Sequence, residues 1–117
     1  MEPDYAFFAQ MPIPLVLTRA GQVIFTNPAF GEFHGVAPES VIGHSVEQFI
    51  AAVADPADTE WLTSIAQRQP PDPIHPAPLW FRARGRGGAT TRVCVRTFPL
   101  PECDVVVGIL VDAEAEL

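Results

Sequence analysis

The sequence predicts an α+β fold in one domain of 117 residues, with a β-hairpin, a run of short helices and a closing antiparallel meander around a shared interior. Three observations predict it. Two β-rich runs near the N-terminus flank a glycine. The middle of the chain is punctuated by helix-starting Pro or Ser and helix-closing Gly, and the last third holds three strand-like runs joined by short turn-forming segments.

Residues 2–10 carry Tyr5, Phe7 and Phe8 in a short helical segment that stops before Pro12 and Pro14. Residues 15–18 and 22–26 are rich in β-formers, and Gly21 between them supplies the positive φ of a tight hairpin turn. Asn27-Pro28 then starts a helix: the Asn side chain caps it, and proline at the first position gives up an amide that lacks a partner anyway. Phe30 and Phe33, three apart, are expected on one face of that helix, which ends at Gly35. Residues 38–42 repeat the pattern before Gly43, and Ser45 offers a cap for 46–53, where Phe49, Ile50 and Val53 fall at helical spacing. The longest helix is expected over 58–69, with Trp61, Leu62, Ile65 and Ala66 on one stripe.

Five prolines between Pro70 and Pro78 forbid regular structure and favour an extended connector. Residues 79–84, 90–100 and 103–112 are the strands of the meander. Cys103, Val105, Val107, Ile109 and Val111 share one face of the last run. Val106 and Leu110 make the other apolar as well, and Trp80, Cys94 and Phe98 are expected to join them. A sheet apolar on both faces needs cover on both. The helices supply one cover; the N-terminal segment, a second copy of the chain, or both must supply the other.

Composition excludes several function classes. The formal charge of −7 argues against a phosphate backbone as partner. Five of the seven basic residues lie between Arg82 and Arg96, where alternation on paired strands makes them a solvated sheet face. Arg84-Gly85-Arg86-Gly87-Gly88 has the letters of an RGG box, but one copy between two strands reads as a hairpin turn. Cys94 and Cys103 form no metal-ligand pattern, nothing in the spacing brings His34, His44 or His75 to them, and buried, reduced thiols are expected. No apolar run reaches the roughly 18 residues of a membrane span and acids occupy the N-terminus, so a soluble cytoplasmic chain without membrane contact is expected. No nucleophile elbow, phosphate-binding glycine loop or zinc-protease signature is present, and a non-enzymatic module follows.

The order hairpin, short helices, longer helix, three-stranded meander resembles the PAS family over roughly residues 8–113. Three strings carry the resemblance. Gly21-Gln22-Val23-Ile24-Phe25-Thr26-Asn27-Pro28-Ala29-Phe30 is similar to the family's glycine, strand, Asn-Pro, aromatic passage; Gly35 with Pro38-Glu39-Ser40-Val41-Ile42-Gly43 is similar to its helical-turn segment; and Gly108-Ile109-Leu110-Val111-Asp112 resembles the strand before its Asp-Ile-Thr signalling motif. Here Ala113 follows Asp112, so the motif's hydroxyl is missing, although Asp112 itself can cap a helix from Ala113.

The resemblance implies a five-stranded antiparallel sheet of order 2-1-5-4-3 with helices over one face, a flanking helix over 1–11, a core over 12–113 and the start of a linker over 114–117. It also implies a sensory or dimerising part of a bacterial histidine kinase, cyclic-dinucleotide enzyme (diguanylate cyclase) or transcription factor. The expected function is recognition of a small hydrophobic or aromatic ligand in a cavity lined by Phe25, Phe30, Phe33, Phe49, Trp61, Ile65, Phe81 and Val95, with His34 and His44 as polar anchors and Asp112 on the path to an output domain. Homodimerisation is expected through the N-terminal helix and the outer sheet face.

The alternatives are a ligand-free dimerisation module, a flavin-binding redox sensor bordered by Trp61, and a small cone-shaped α+β enzyme. The photoreceptor cysteine is absent from residues 45–50 and the haem-ligating histidine from residues 58–69, which disfavours both of those cofactors. For Trp61, packing in the core is the simpler role.

Overall fold

A computed structural model describes residues 2–68 and 78–115; most of the proline connector lies outside the described residues. Asp4 caps α1 (Tyr5–Ala9), accepting from the Phe7 amide. Strands β1 (Leu15–Arg19) and β2 (Gln22–Thr26) are joined by Ala20 and Gly21, both at positive φ, the geometry that matches a hairpin's twist. Asn27 caps α2 (Pro28–His34), whose C-terminus closes on Gly35 at φ 70°. A capping box of Ser45 and Gln48 starts α3 (Val46–Val53), and α4 (Pro56–Arg68) follows. Strands β3 (Leu79–Arg84), β4 (Thr90–Leu100) and β5 (Val105–Ala115) complete an antiparallel sheet of order β2-β1-β5-β4-β3.

Four expectations are corrected. The segment 38–42 forms only a 3-10 turn, Pro38–Ser40. Helix α4 begins at Pro56, where proline suits the first turn, two residues earlier than expected. Residues 103 and 104 belong to the turn before β5, and β5 runs on to Ala115 because Ala113, Glu114 and Ala115 pair with Val93, Arg92 and Thr91.

The fourth correction concerns sheet faces. Leu100 pairs with Val105 across a four-residue turn, so even-numbered residues of β4 lie opposite odd-numbered residues of β5: Phe98 opposite Val107, Arg96 opposite Ile109. Trp80, Cys94 and Phe98 therefore share the face of Val105 and Val107, and Val106 and Leu110 look the other way with Val95 and Thr97. A bulge at Cys94/Val95 displaces Val111, which is 44% exposed.

The sheet thus has an inner face beneath α2–α4 and an outer face partly covered by the N-terminal segment. On the outer face Leu15, Leu17, Val105 and Val107 are fully or almost fully buried, with Tyr5, Phe8 and Met11 packed on them. Among the helices, Phe30, Val41 and Val53 form a second cluster with Val36 and Phe49. The RGG-like string is the β3–β4 hairpin, closed by the Gly85 amide donating to the Ala89 carbonyl at 2.7 Å. Both cysteines are free thiols. No helix among the described residues is long and apolar enough to cross a membrane.

Candidate functional site

Between α2–α4 and the inner sheet face lies a cavity of about 360 Å³, inside the roughly 300–1,000 Å³ range of small-molecule sites. Helix α2 contributes Phe30 and His34, α3 Phe49 and Val53, and α4 Leu62. The sheet answers with Phe81, Val95 and Leu110, while Gly108 adds no side chain to the wall. Phe30 and Phe49 stack with centroids 5.6 Å apart, and the His34 ring leans on Phe30 at 4.6 Å. The lining is overwhelmingly apolar; Thr18, His34 and Thr97 are its polar side chains.

Of the residues expected to line the pocket, Phe30, His34, Phe49, Phe81 and Val95 come together here. Three do not. Phe25 pairs with Leu17 and lies on the outer face, its ring 5.3 Å from Tyr5, because a bulge at Leu17/Thr18 resets the alternation of the hairpin. Phe33 is turned out of the cavity: four residues along a helix return closer to the starting direction than three, so His34 continues the line of Phe30. Trp61 is 37% exposed and its neighbour Leu62 faces the cavity instead, a rotation of about 100° per residue on an α-helix. The Ile65 side chain lies outside the described residues.

His44 is exposed and is held through its backbone, its carbonyl accepting from the Val23 amide and its amide donating to the Val41 carbonyl, and it does not line the cavity. Asp112 is exposed, pairs with Cys94 beside the bulge and accepts from the Ala113 amide at 2.8 Å; it caps no helix, since the strand continues. Sequence reasoning missed Val16, Thr18, Val106 and Leu110. Their signal was the alternation itself, which puts the even-numbered residues of β1 and β5 on one face once Gly108 is seen to lie opposite Val16.

Strand β3 fixes the helices around the cavity. The Arg84 guanidinium donates to the carbonyls of Ala51 and Ala54 at the end of α3, and the Asp55 amide donates to the Arg82 carbonyl. Asp58, 8% exposed, accepts from the Arg82 amide at 2.7 Å and from the Trp61 indole at 3.2 Å. Burial opposes ionisation of this carboxyl, but those bonds and the Arg82 guanidinium outweigh it and hold its pKa below the usual value.

His34 is governed differently. Its Nδ1 lies 2.7 Å from the Arg84 carbonyl oxygen, and burial lowers its pKa against the raising effect of that bond. The balance favours the neutral ring. Among the described residues no three His, Cys, Asp or Glu side chains gather as a metal site requires.

No protein-family model matches the sequence, and a search of curated proteins finds no match. Solved structures do match. The PAS domain of an HTR-like protein from Haloarcula marismortui is 22% identical over 92% of this chain and 87% of that one, with a TM-score of 0.66. The PAS domain of BvgS from Bordetella pertussis is 17% identical over 92% and 82%, at 0.69. The PAS domain of the quorum-sensing receptor RpfR from Cronobacter turicensis, solved in complex with C12:0, is 16% identical over 88% and 95%, at 0.62. The fold is the PAS fold: the same five-stranded antiparallel sheet of order 2-1-5-4-3 with its helices.

Proposed function

We propose that this chain is the sensory module of a signal-transduction protein and that it binds a small hydrophobic or aromatic molecule between its helices and its sheet. The observation that carries the reading is the apolar cavity of about 360 Å³, with aromatic side chains on both walls. The RpfR domain, with C12:0 bound in the same fold, supports it by likeness. In a longer parent protein, β5 is the element suited to report occupancy, because it walls the cavity and leads towards the C-terminus past Asp112. The output domain expected there is a histidine kinase, a diguanylate cyclase or a transcriptional regulator.

Native mass spectrometry of the purified protein, followed by thermal-shift titration with small aromatics and medium-chain alcohols, tests the reading. A ligand at 100 times its Kd adds about 2.7 kcal/mol, which at this size is a rise in Tm of roughly 10 °C. Val95→Phe places a ring in the cavity and is expected to abolish the rise. No saturable shift with any compound, and no retained molecule, would sink the proposal.

A second reading, dimerisation, is favoured by one observation. Phe7 on α1 is 59% exposed although α1 lies on the outer face, so the helix offers an apolar edge to a second copy of the chain. Analytical ultracentrifugation of Phe7→Glu against the wild type checks it: a wild-type dimer that the variant splits supports the reading, and two monomers reject it.

A further inference from the structure

We propose that the cavity selects a neutral, mainly apolar ligand with one hydrogen-bond donor, a hydroxyl or an N–H, which it presents to Nε2 of His34, and that it discriminates against the carboxylate of the same apolar frame. The inference rests on the binding reading above and concerns the chemistry of the ligand. A backbone carbonyl can only accept, so the contact of Nδ1 with the Arg84 oxygen at 2.7 Å fixes the proton on Nδ1. In the neutral ring Nε2 is then a lone pair and accepts. The Arg84 carbonyl is the hydrogen-bond partner the described residues give this imidazole, and no buried side-chain nitrogen or oxygen among them lacks a partner. Nε2 is therefore not sealed off by protein, and it belongs to a ring that borders the cavity.

A carboxylate finds no counterpart in the same space. The described lining contains no Lys or Arg. Arg84, whose carbonyl holds His34, directs its guanidinium to the carbonyls of Ala51 and Ala54. Thr18 and Thr97 are the other polar lining groups, and two hydroxyls do not replace the water shell of an anion. Pairing an anion with His34 requires a proton on Nε2, which burial of the ring resists.

The test compares 1-octanol, octyl methyl ether and octanoate by isothermal titration at pH 8 on the wild-type protein. The ether keeps the chain and removes the donor; octanoate replaces the donor with a charge. Octanol is expected to bind at least tenfold more tightly than either. His34→Asn retains an N–H at the position facing the Arg84 carbonyl and removes the distal acceptor, so it is expected to close most of the gap between octanol and the ether. Ether or octanoate binding as tightly as octanol to the wild type would overturn the inference and leave cavity binding intact. A wild-type protein that binds none of the three would remove the underlying reading, and this inference with it.

Discussion

Asn27 is fully buried, and replacing it separates two roles that its position alone confounds. Its Oδ1 accepts from the Phe30 amide at 3.0 Å, the ordinary N-cap bond of α2, and also from the Leu15 amide at 3.0 Å. Its Nδ2 donates to the Ile13 carbonyl at 2.8 Å and the Met11 carbonyl at 3.2 Å, with the Phe8 carbonyl at 3.4 Å. One side chain therefore ties the exit of α1, the start of β1 and the start of α2. Losing the cap costs about 1 kcal/mol, and orphaning a buried Leu15 amide and two carbonyls brings Asn27→Ala to about 3–5 kcal/mol.

Asn27→Asp is the sharper variant, because aspartate caps helices as well as asparagine does. If capping were the whole role, the change would be silent. With no N–H to donate and a negative oxygen set against the carbonyls of Met11 and Ile13, it is expected to cost as much as the alanine variant. Urea titration followed by circular dichroism reads this as a midpoint lowered by about 2 M at unchanged slope. An Asn27→Asp midpoint within 0.3 M of the wild type, roughly 0.5 kcal/mol, would refute the reasoning.

Gly31→Ala ought to gain about 1 kcal/mol in a helix interior, yet a Cβ there would meet the Val36 carbonyl oxygen at 2.7 Å and the Pro38 ring at 3.0 Å. A net loss of about 1–3 kcal/mol in the same urea assay is expected, and a gain would show that the 36–38 turn yields freely. Asp58 titrates below its ordinary value in the folded state, so its contribution is present above that value, near 3.8, and disappears as pH falls through the lowered one. Asp58→Asn should flatten acid unfolding in that window and lower stability at pH 7; an unchanged acid limb would count against the Arg82 and Trp61 bonds. His34 titrates below its ordinary value near 6.5, so the unfolded chain takes up its proton first and stability falls as pH drops below that point. Comparing urea midpoints at pH 8 and pH 5 should give a smaller drop for His34→Asn than for the wild type, and equal drops would reject the neutral ring.

Much of the architecture was legible because local signals agreed with the global fold. Asn27-Pro28, Gly35 and Ser45 all act where they stand in the chain, and the helices they bound are α2 and α3. Half of the eight expected apolar lining residues were legible for the same reason: Phe30, Phe49, Phe81 and Val95 sit on elements whose phase follows from simple periodicity. The failures came where phase depends on a non-local pairing. Nothing within 90–100 or 103–112 alone states that Leu100 meets Val105, and that single pairing decides which face carries Phe98 and Trp80. Bulges at Leu17/Thr18 and Cys94/Val95 are equally silent in one sequence, and they account for the positions of Phe25 and Val111. Trp61 failed for another reason. Its indole found a partner in Asp58 on the same helix, so the largest side chain of the stripe stayed at the surface and Leu62 took the interior.

The polar residues buried in this fold explain why the cavity stays apolar. Thr26 donates to the Pro38 carbonyl, Asn27 joins three chain segments, and Asp58 accepts from the Arg82 backbone, so each is directed at main-chain groups where two elements meet. Groups so engaged cannot also turn towards a ligand without orphaning a buried partner, at a cost of about 1–3 kcal/mol each. Their satisfaction is what allows short, irregular helices to be held over a sheet without filling the space between with polar contacts. His34 differs from them in that only one of its two ring nitrogens is engaged by the backbone, which leaves the other as an acceptor beside an otherwise greasy wall. On the binding reading proposed above, recognition in such a space depends on volume and one directed hydrogen bond, and a charged ligand would have to carry its own counter-charge or proton into it.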